Sequence, residues 1–253
     1  MAQYTDCPQV LREFLAYHET IRGQSAKTIS EYYLDLRMFL RFMKLMKNDM
    51  PYQTDLDSIS IRDCNIEFIR QITTAEIYDY LTYLANDRVK FPDTVSESAG
   101  IGAAARARKL SSIKSFYKYL TTRTKQLEEN PVADMEYPKL RRSLPKFLTV
   151  EQSAKLLESI QGSNPRRDYA IIFLFLNCGL RISELAGLNV SDISEDRVRV
   201  LGKGNKERIV YMSDACREAV EEYIALERNT DGMRDQRPLF VSRDHNRIST
   251  SAV

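Results

Sequence analysis

Apolar residues recur at helical spacing through most of the first half of the chain. Val10, Leu11, Phe14, Leu15 and Ile21 share one face of a predicted helix over Cys7 to Arg22, and Gly23 ends it. Ser25 is placed to cap a second helix, whose stripe runs Ile29, Tyr32, Tyr33, Leu36, Phe39, Leu40 and Met43. Its opposite face offers Lys27, Thr28 and Arg37. Residues 47–72 break the pattern: they are polar, aspartate-rich and carry Pro51, so they read as a surface excursion without regular structure. Thr73-Thr74 starts a third helix through Ile77, Tyr80, Leu81 and Leu84, ending near Asn86-Asp87. Residues 90–103, with Pro92, Gly100 and Gly102, read as a loop. A strong helix follows from Ala103 to Thr121, apolar at Leu110, Ile113, Phe116, Tyr117 and Leu120. Its aromatic residues sit at core spacing and are expected to pack, not to stack on bases.

Periodicity then disappears. Glu128 to Lys146 holds Asn130-Pro131, Pro138 and Pro145 among basic residues, the composition of an extended interdomain linker. Thr149-Val150-Glu151-Gln152 matches a capping box and opens a helix through Leu156 and Leu157. The apolar run Tyr169 to Leu176 leads to Gly179, a helix stop, with Arg181 and Glu184 one turn apart just beyond. Arg197 to Leu201 alternates like a strand, and Glu207 to Tyr211 follows across a glycine-containing turn, which predicts a β-hairpin. Ser213 is placed to cap a helix from Asp214 to Arg228; Tyr211 and Tyr223 read as packing residues. The expected fold is mainly α with a small β-hairpin. It divides into a helical domain over residues 1–126, a linker over 127–147 and an α+β domain over 148–253.

Composition adds one thing. The formal net charge of the 253 residues is only +2. Yet residues 101–150 carry 11 Lys/Arg against 4 Asp/Glu, while the segments on either side are slightly acidic. A concentrated basic stripe matters more to DNA than the total charge does. The four cysteines lack CxxC spacing and the two histidines are far apart, so neither a disulfide framework nor a metal site is expected. No run of about 18 apolar residues exists, and the N-terminus lacks a signal pattern, so the expected location is cytoplasmic.

Arg181 has two readings from its octet alone. It is either one half of an ordinary helix-surface pair with Glu184, or a held and aimed guanidinium suited to clamping a phosphate. Three spaced motifs bear on the choice: Cys178-Gly-Leu-Arg181-Ile-Ser-Glu184-Leu, Gly202-Lys203-Gly-Asn-Lys206-Glu-Arg208, and Asn130-Pro131…Pro138-Lys139…Leu144-Pro145-Lys146. Together they resemble tyrosine site-specific recombinases, in particular the Xer-type resolvases and related simple integrases.

The resemblance implies an N-terminal helical (SAM-like) core-binding domain and a partial tyrosine-recombinase catalytic domain. It also implies a double-stranded DNA partner, bound by a synaptic tetramer in the complete protein. The implied chemistry is attack of a tyrosine hydroxyl on a phosphodiester, leaving a 3′-phosphotyrosine and a free 5′-hydroxyl, with no metal and no cofactor. Arg181 matches the first arginine of the phosphate clamp, Lys203 the lysine that reaches the leaving oxygen, and Glu184 a position that orients Arg181. The implied DNA contacts are Lys27, Thr28 and Arg37; Arg106, Arg108, Lys109 and Lys114 on the basic helix; Lys139, Arg141 and Arg142 on the linker; and Lys206 and Arg208 at the hairpin. The family's His-x-x-Arg and nucleophilic tyrosine have no match. His245 has the wrong spacing, and all fourteen tyrosines lie at or before Tyr223. The chain therefore reads as cut short inside its catalytic domain, able to bind DNA and inactive in cleavage. The alternative is a catalytically inactive DNA-binding accessory or inhibitory factor.

Overall fold

The caps set the ends of the helices in the first unit. α1 (Gln9–Ala16) continues for one wider turn, Tyr17–Ile21, before the chain reverses at Gly23 with φ 60°. The Ser25 hydroxyl accepts from the Thr28 amide at 3.3 Å and opens α2 (Ala26–Lys47). The protein is described here from a computed structural model covering residues 4, 6–90, 98–140, 144, 146–202, 204 and 206–253. Val10, Leu11, Phe14 and Leu15 of α1 are buried with Ile29, Leu36, Phe39, Leu40 and Met43 of α2, whereas Ile21 of the first predicted stripe is 72% exposed.

Residues 47–72 differ from expectation. A short 3₁₀ turn, Leu56–Ser58, and α3 (Ile66–Arg70) lie within them, and Ile59, Ile61, Cys64, Ile69 and Ile72 are buried in the first core. Cations on α2 hold this segment down. Arg41 Nε donates to the Ile59 carbonyl at 2.9 Å. Lys44 Nζ donates to the Ser60 carbonyl at 2.8 Å and to Asp63 at 2.6 Å. Lys47 Nζ reaches the Gln71 carbonyl at 3.0 Å and Glu76 at 2.6 Å. A backbone that irregular can be buried because side chains satisfy its carbonyls, which no periodicity shows.

α4 (Thr74–Asn86) begins with a full capping box between Thr73 and Glu76. β1 (Val89–Lys90) and β2 (Ser98–Ala99) then pair antiparallel, so the span read as a loop is entered and left through a two-stranded ribbon. Gly100 follows at φ 75°, where a Cβ would lie 2.0 Å from the Ala85 carbonyl oxygen, so only glycine fits. α5 (Ala103–Lys118) runs on through Tyr119–Arg123 and buries Leu110, Ile113, Phe116 and Tyr117. Phe14 and Phe116 meet edge-to-face with centroids 5.3 Å apart. Leu127, Val132 and Met135 are buried in the same core, so the start of the span read as linker packs with the helices. The chain divides into compact units Met1–Ser143 and Leu144–Val253.

In the second unit Thr149 and Gln152 form the predicted capping box at the start of α6 (Val150–Glu158). α7 (Pro165–Cys178), α8 (Ile182–Gly187) and α9 (Asp214–Leu226) surround a three-stranded antiparallel sheet. Its order is β3 (Ile193–Ser194), β4 (Arg197–Leu201), β5 (Glu207–Tyr211), one strand more than the predicted hairpin. Val198 and Val200 point into a core with Ile171, Leu174, Cys216, Val220, Leu239 and Phe240. Tyr223 packs as expected: its ring stacks on Phe240 at 5.3 Å, and its hydroxyl accepts from the Val241 amide at 3.1 Å. Tyr211 does not, because strand alternation turns its side chain outward, 65% exposed. Among the described residues no helix is long and apolar enough to cross a membrane.

Candidate nucleic-acid interface

Pro165 starts α7 at its first turn, and Gly179 stops it in the left-handed conformation, φ 58°. Two residues later Arg181 sits in extended backbone, φ −75° and ψ 150°, as the residue before α8. That geometry points the Arg181 amide along α8, where it donates to Glu184 Oε2 at 2.9 Å. The Arg181 guanidinium donates through Nη1 alone to Glu184 Oε1 at 2.8 Å. The Glu184 side chain is 4% exposed, whereas that of Arg181 is 73% exposed. An exposed guanidinium is thus tethered at one corner to a buried carboxylate, and its other donors face solvent.

A residue expected to touch DNA completes this cluster. Arg208, on β5, donates to Glu184 through both arms, Nη1 to Oε1 at 2.7 Å and Nη2 to Oε2 at 2.9 Å. Such a fork is stronger and more directional than a single bond. The Arg208 fork, followed by the bonds from the Arg181 amide and guanidinium, holds the Glu184 carboxyl down to about 2 despite its burial. Arg208 thus spends both arms on a carboxylate. Sequence reasoning missed the pairing because Glu184 and Arg208 lie 24 residues apart, on a helix and a strand. Gly202 lies directly over the pair: a Cβ there would sit 3.6 Å from Glu184 Oε1 and 3.7 Å from Arg208 Nη1. The Gly202 amide donates to the Lys206 carbonyl at 2.8 Å and closes the hairpin turn, on which Lys206 is exposed. Lys203, Arg141 and Arg142 lie outside the described residues.

Arg247 was not singled out from the sequence, yet it supports the other end of α8. Its Nη1 donates to the carbonyls of Ala186, Gly187 and Leu188 at 3.2, 2.8 and 2.9 Å, and its Nη2 donates to Asn189 Oδ1 at 2.6 Å. A cation at a helix C-terminus satisfies orphan carbonyls and meets the negative end of the dipole.

The cations of the first unit sort differently. Lys109 is buried and donates to Asp35 Oδ1 at 2.9 Å. Arg108 is half-exposed but spends both arms on Asp35 and one on Glu31. Arg106 donates to the Ile101 carbonyl at 2.6 Å. Lys114 lies 5.2 Å from the Tyr137 ring centre, and Arg37 lies 5.1 Å from that of Tyr33, both cation–π distances. Thr28 Oγ1 is engaged with Ser25 Oγ at 3.0 Å. Lys27 and Lys139 are exposed, with no carboxylate partner among the described residues.

Arg181 before α8, the buried Glu184 and Arg208 on β5 thus form one hydrogen-bonded cluster. The Phage integrase family profile matches residues 146–253. The tyrosine recombinase XerC of Caldanaerobacter subterraneus subsp. tengcongensis is 42% identical over 246 residues, covering 97% of this chain and 66% of the relative. The tyrosine recombinase XerC of Vibrio cholerae is 32% identical over 249 residues, covering 97% of this chain and 70% of the relative. In fold, the chain is similar to XerH site-specific recombinase bound to a palindromic difH substrate. That likeness has a TM-score of 0.61 at 17% identity and covers 94% of this chain and 63% of that one. The chain belongs to the Xer-like tyrosine recombinases of the phage integrase family.

Proposed function

We propose that this chain supplies the DNA-gripping and phosphate-clamping parts of a site-specific recombinase. The single observation that carries the reading is Arg181, exposed but tethered on buried Glu184 at 2.8 Å. In this reading the helical unit is the core-binding domain, and the second unit presents Arg181 to the scissile phosphate of a duplex. Developing negative charge on the non-bridging oxygens would fall on the free donors of that guanidinium, which do not have to reorganise. Lys203, between β4 and β5 in sequence, would protonate the leaving 5′-oxygen as a general acid. Strand cleavage in the complete recombinase passes through a 3′-phosphotyrosine and needs no metal; its active assembly is a tetramer on paired sites. The 253-residue chain by itself binds the duplex without cutting it.

Fluorescence anisotropy with a duplex selected for affinity from random sequence tests the binding half. Affinity should fall steeply from low to physiological salt, because each neutralised phosphate releases counterions. Affinity that ignores salt, or none at low salt, refutes it. A nicked duplex tests the rest: a protein–DNA adduct that survives denaturant would show a nucleophile within this chain.

A further inference from the structure

We propose that Arg208 is a positioning residue that keeps Arg181 open to phosphate, by occupying the carboxylate that would otherwise neutralise it. The inference rests on the reading of Arg181 as a phosphate clamp.

Glu184 has two oxygens and accepts four hydrogen bonds. Oε1 takes Arg181 Nη1 and Arg208 Nη1, and Oε2 takes the Arg181 amide and Arg208 Nη2. With every strong acceptor direction taken, Arg181 holds one corner of the carboxylate and no more. An arginine and a glutamate left alone at this spacing form a two-armed pair, which uses two guanidinium donors and cancels the charge. Arg208 prevents that. The cluster holds two guanidiniums and one carboxylate, so it stays at a local +1, and the surplus sits on the more exposed side chain: 73% for Arg181 against 39% for Arg208.

The same fork fixes the hairpin. Arg208 pairs across the ladder with Val200, and the turn closed by Gly202 and Lys206 begins just beyond. Since Gly202 lies over the Glu184 carboxylate, the fork ties the end of β4 to the start of α8. Lysine at position 208 would keep the charge without the fork, because an ammonium is a point donor.

Inorganic phosphate is the probe, titrated into the ¹⁵N-labelled chain and followed at the Arg181 side-chain Nε and backbone amide. Arg208→Met and Arg208→Lys are compared with the parent protein. The parent should bind phosphate weakly, with its largest shift at Arg181. Arg208→Met should weaken that binding by about tenfold, as the loss of one charge-assisted contact would, and Arg208→Lys should recover part of it. The Glu184 carboxyl, followed by ¹³C, should titrate above its parent value of about 2 in both variants. If Arg208→Met unfolds, Arg208→Lys decides alone: parental phosphate affinity there overturns the inference. Equal affinity in all three proteins overturns it too, as does a parent protein whose Arg181 ignores phosphate. Phosphate binding that depends on Arg208, in a chain that fails to bind duplex DNA, would uphold the positioning role and refute the recombinase reading.

Discussion

Asp35 in the first unit and Glu184 in the second are the same device put to opposite ends. Each is a buried carboxylate, 1% and 6% exposed, and each accepts four hydrogen bonds with two cations in attendance. Around Asp35, Lys109 is buried and half-exposed Arg108 is shared with Glu31, so the cluster is neutral. It joins α2 to α5 and has no charge left to offer. Around Glu184 a single carboxylate meets two arginines, and one of them stands in solvent. Residue type does not separate a neutral ion cluster from one with a cation to spare. The separation comes from counting charges within reach and asking which cation remains wet.

The contrast breaks most severely at Asp35. Asp35→Ala strands the Lys109 ammonium in the core, and a buried charge deprived of its partner costs about 3–5 kcal/mol. Denaturant titration should show the first unit unfolding at much lower concentration while the second is unmoved. Glu184→Ala should cost less than Asp35→Ala, because both arginines can turn to water. Acid should separate wild type from Glu184→Gln. The folded Glu184 carboxyl lies at about 2, below its unfolded value of about 4.3, so its contribution is complete above pH 5 and fades as pH falls toward 2. The melting-temperature gap between the two proteins should close over that interval and stay constant above it. The smallest effect is expected at exposed Lys27: Lys27→Ala should leave stability alone and reduce the salt slope of DNA binding by about one.

Much of the fold is legible from local rules. Ser25, Thr73, Thr149 and Ser213 each cap the helix their position announces, and Gly179 stops α7 in the left-handed conformation that favours glycine. The buried excursion at 47–72 is illegible because its burial depends on α2 cations reaching its carbonyls across the fold. In the site, the pairing of Arg181 and Glu184 is readable because they are three residues apart at one helix start. The pairing of Arg108 and Lys109 with Asp35, more than seventy residues earlier, is not readable. Arg208 is hidden for the same reason. Paired charges distant in sequence leave no periodic trace.

The most direct test of the contrast is the salt dependence of affinity for a selected duplex, measured for the parent chain, Arg181→Met and Lys109→Met. The expected result is a slope reduced by about one in Arg181→Met and unchanged in Lys109→Met, since only the first cation meets a phosphate. A reduced slope for Lys109→Met with none for Arg181→Met would contradict it, and would make the Asp35 cluster, not the Glu184 cluster, the one that faces DNA.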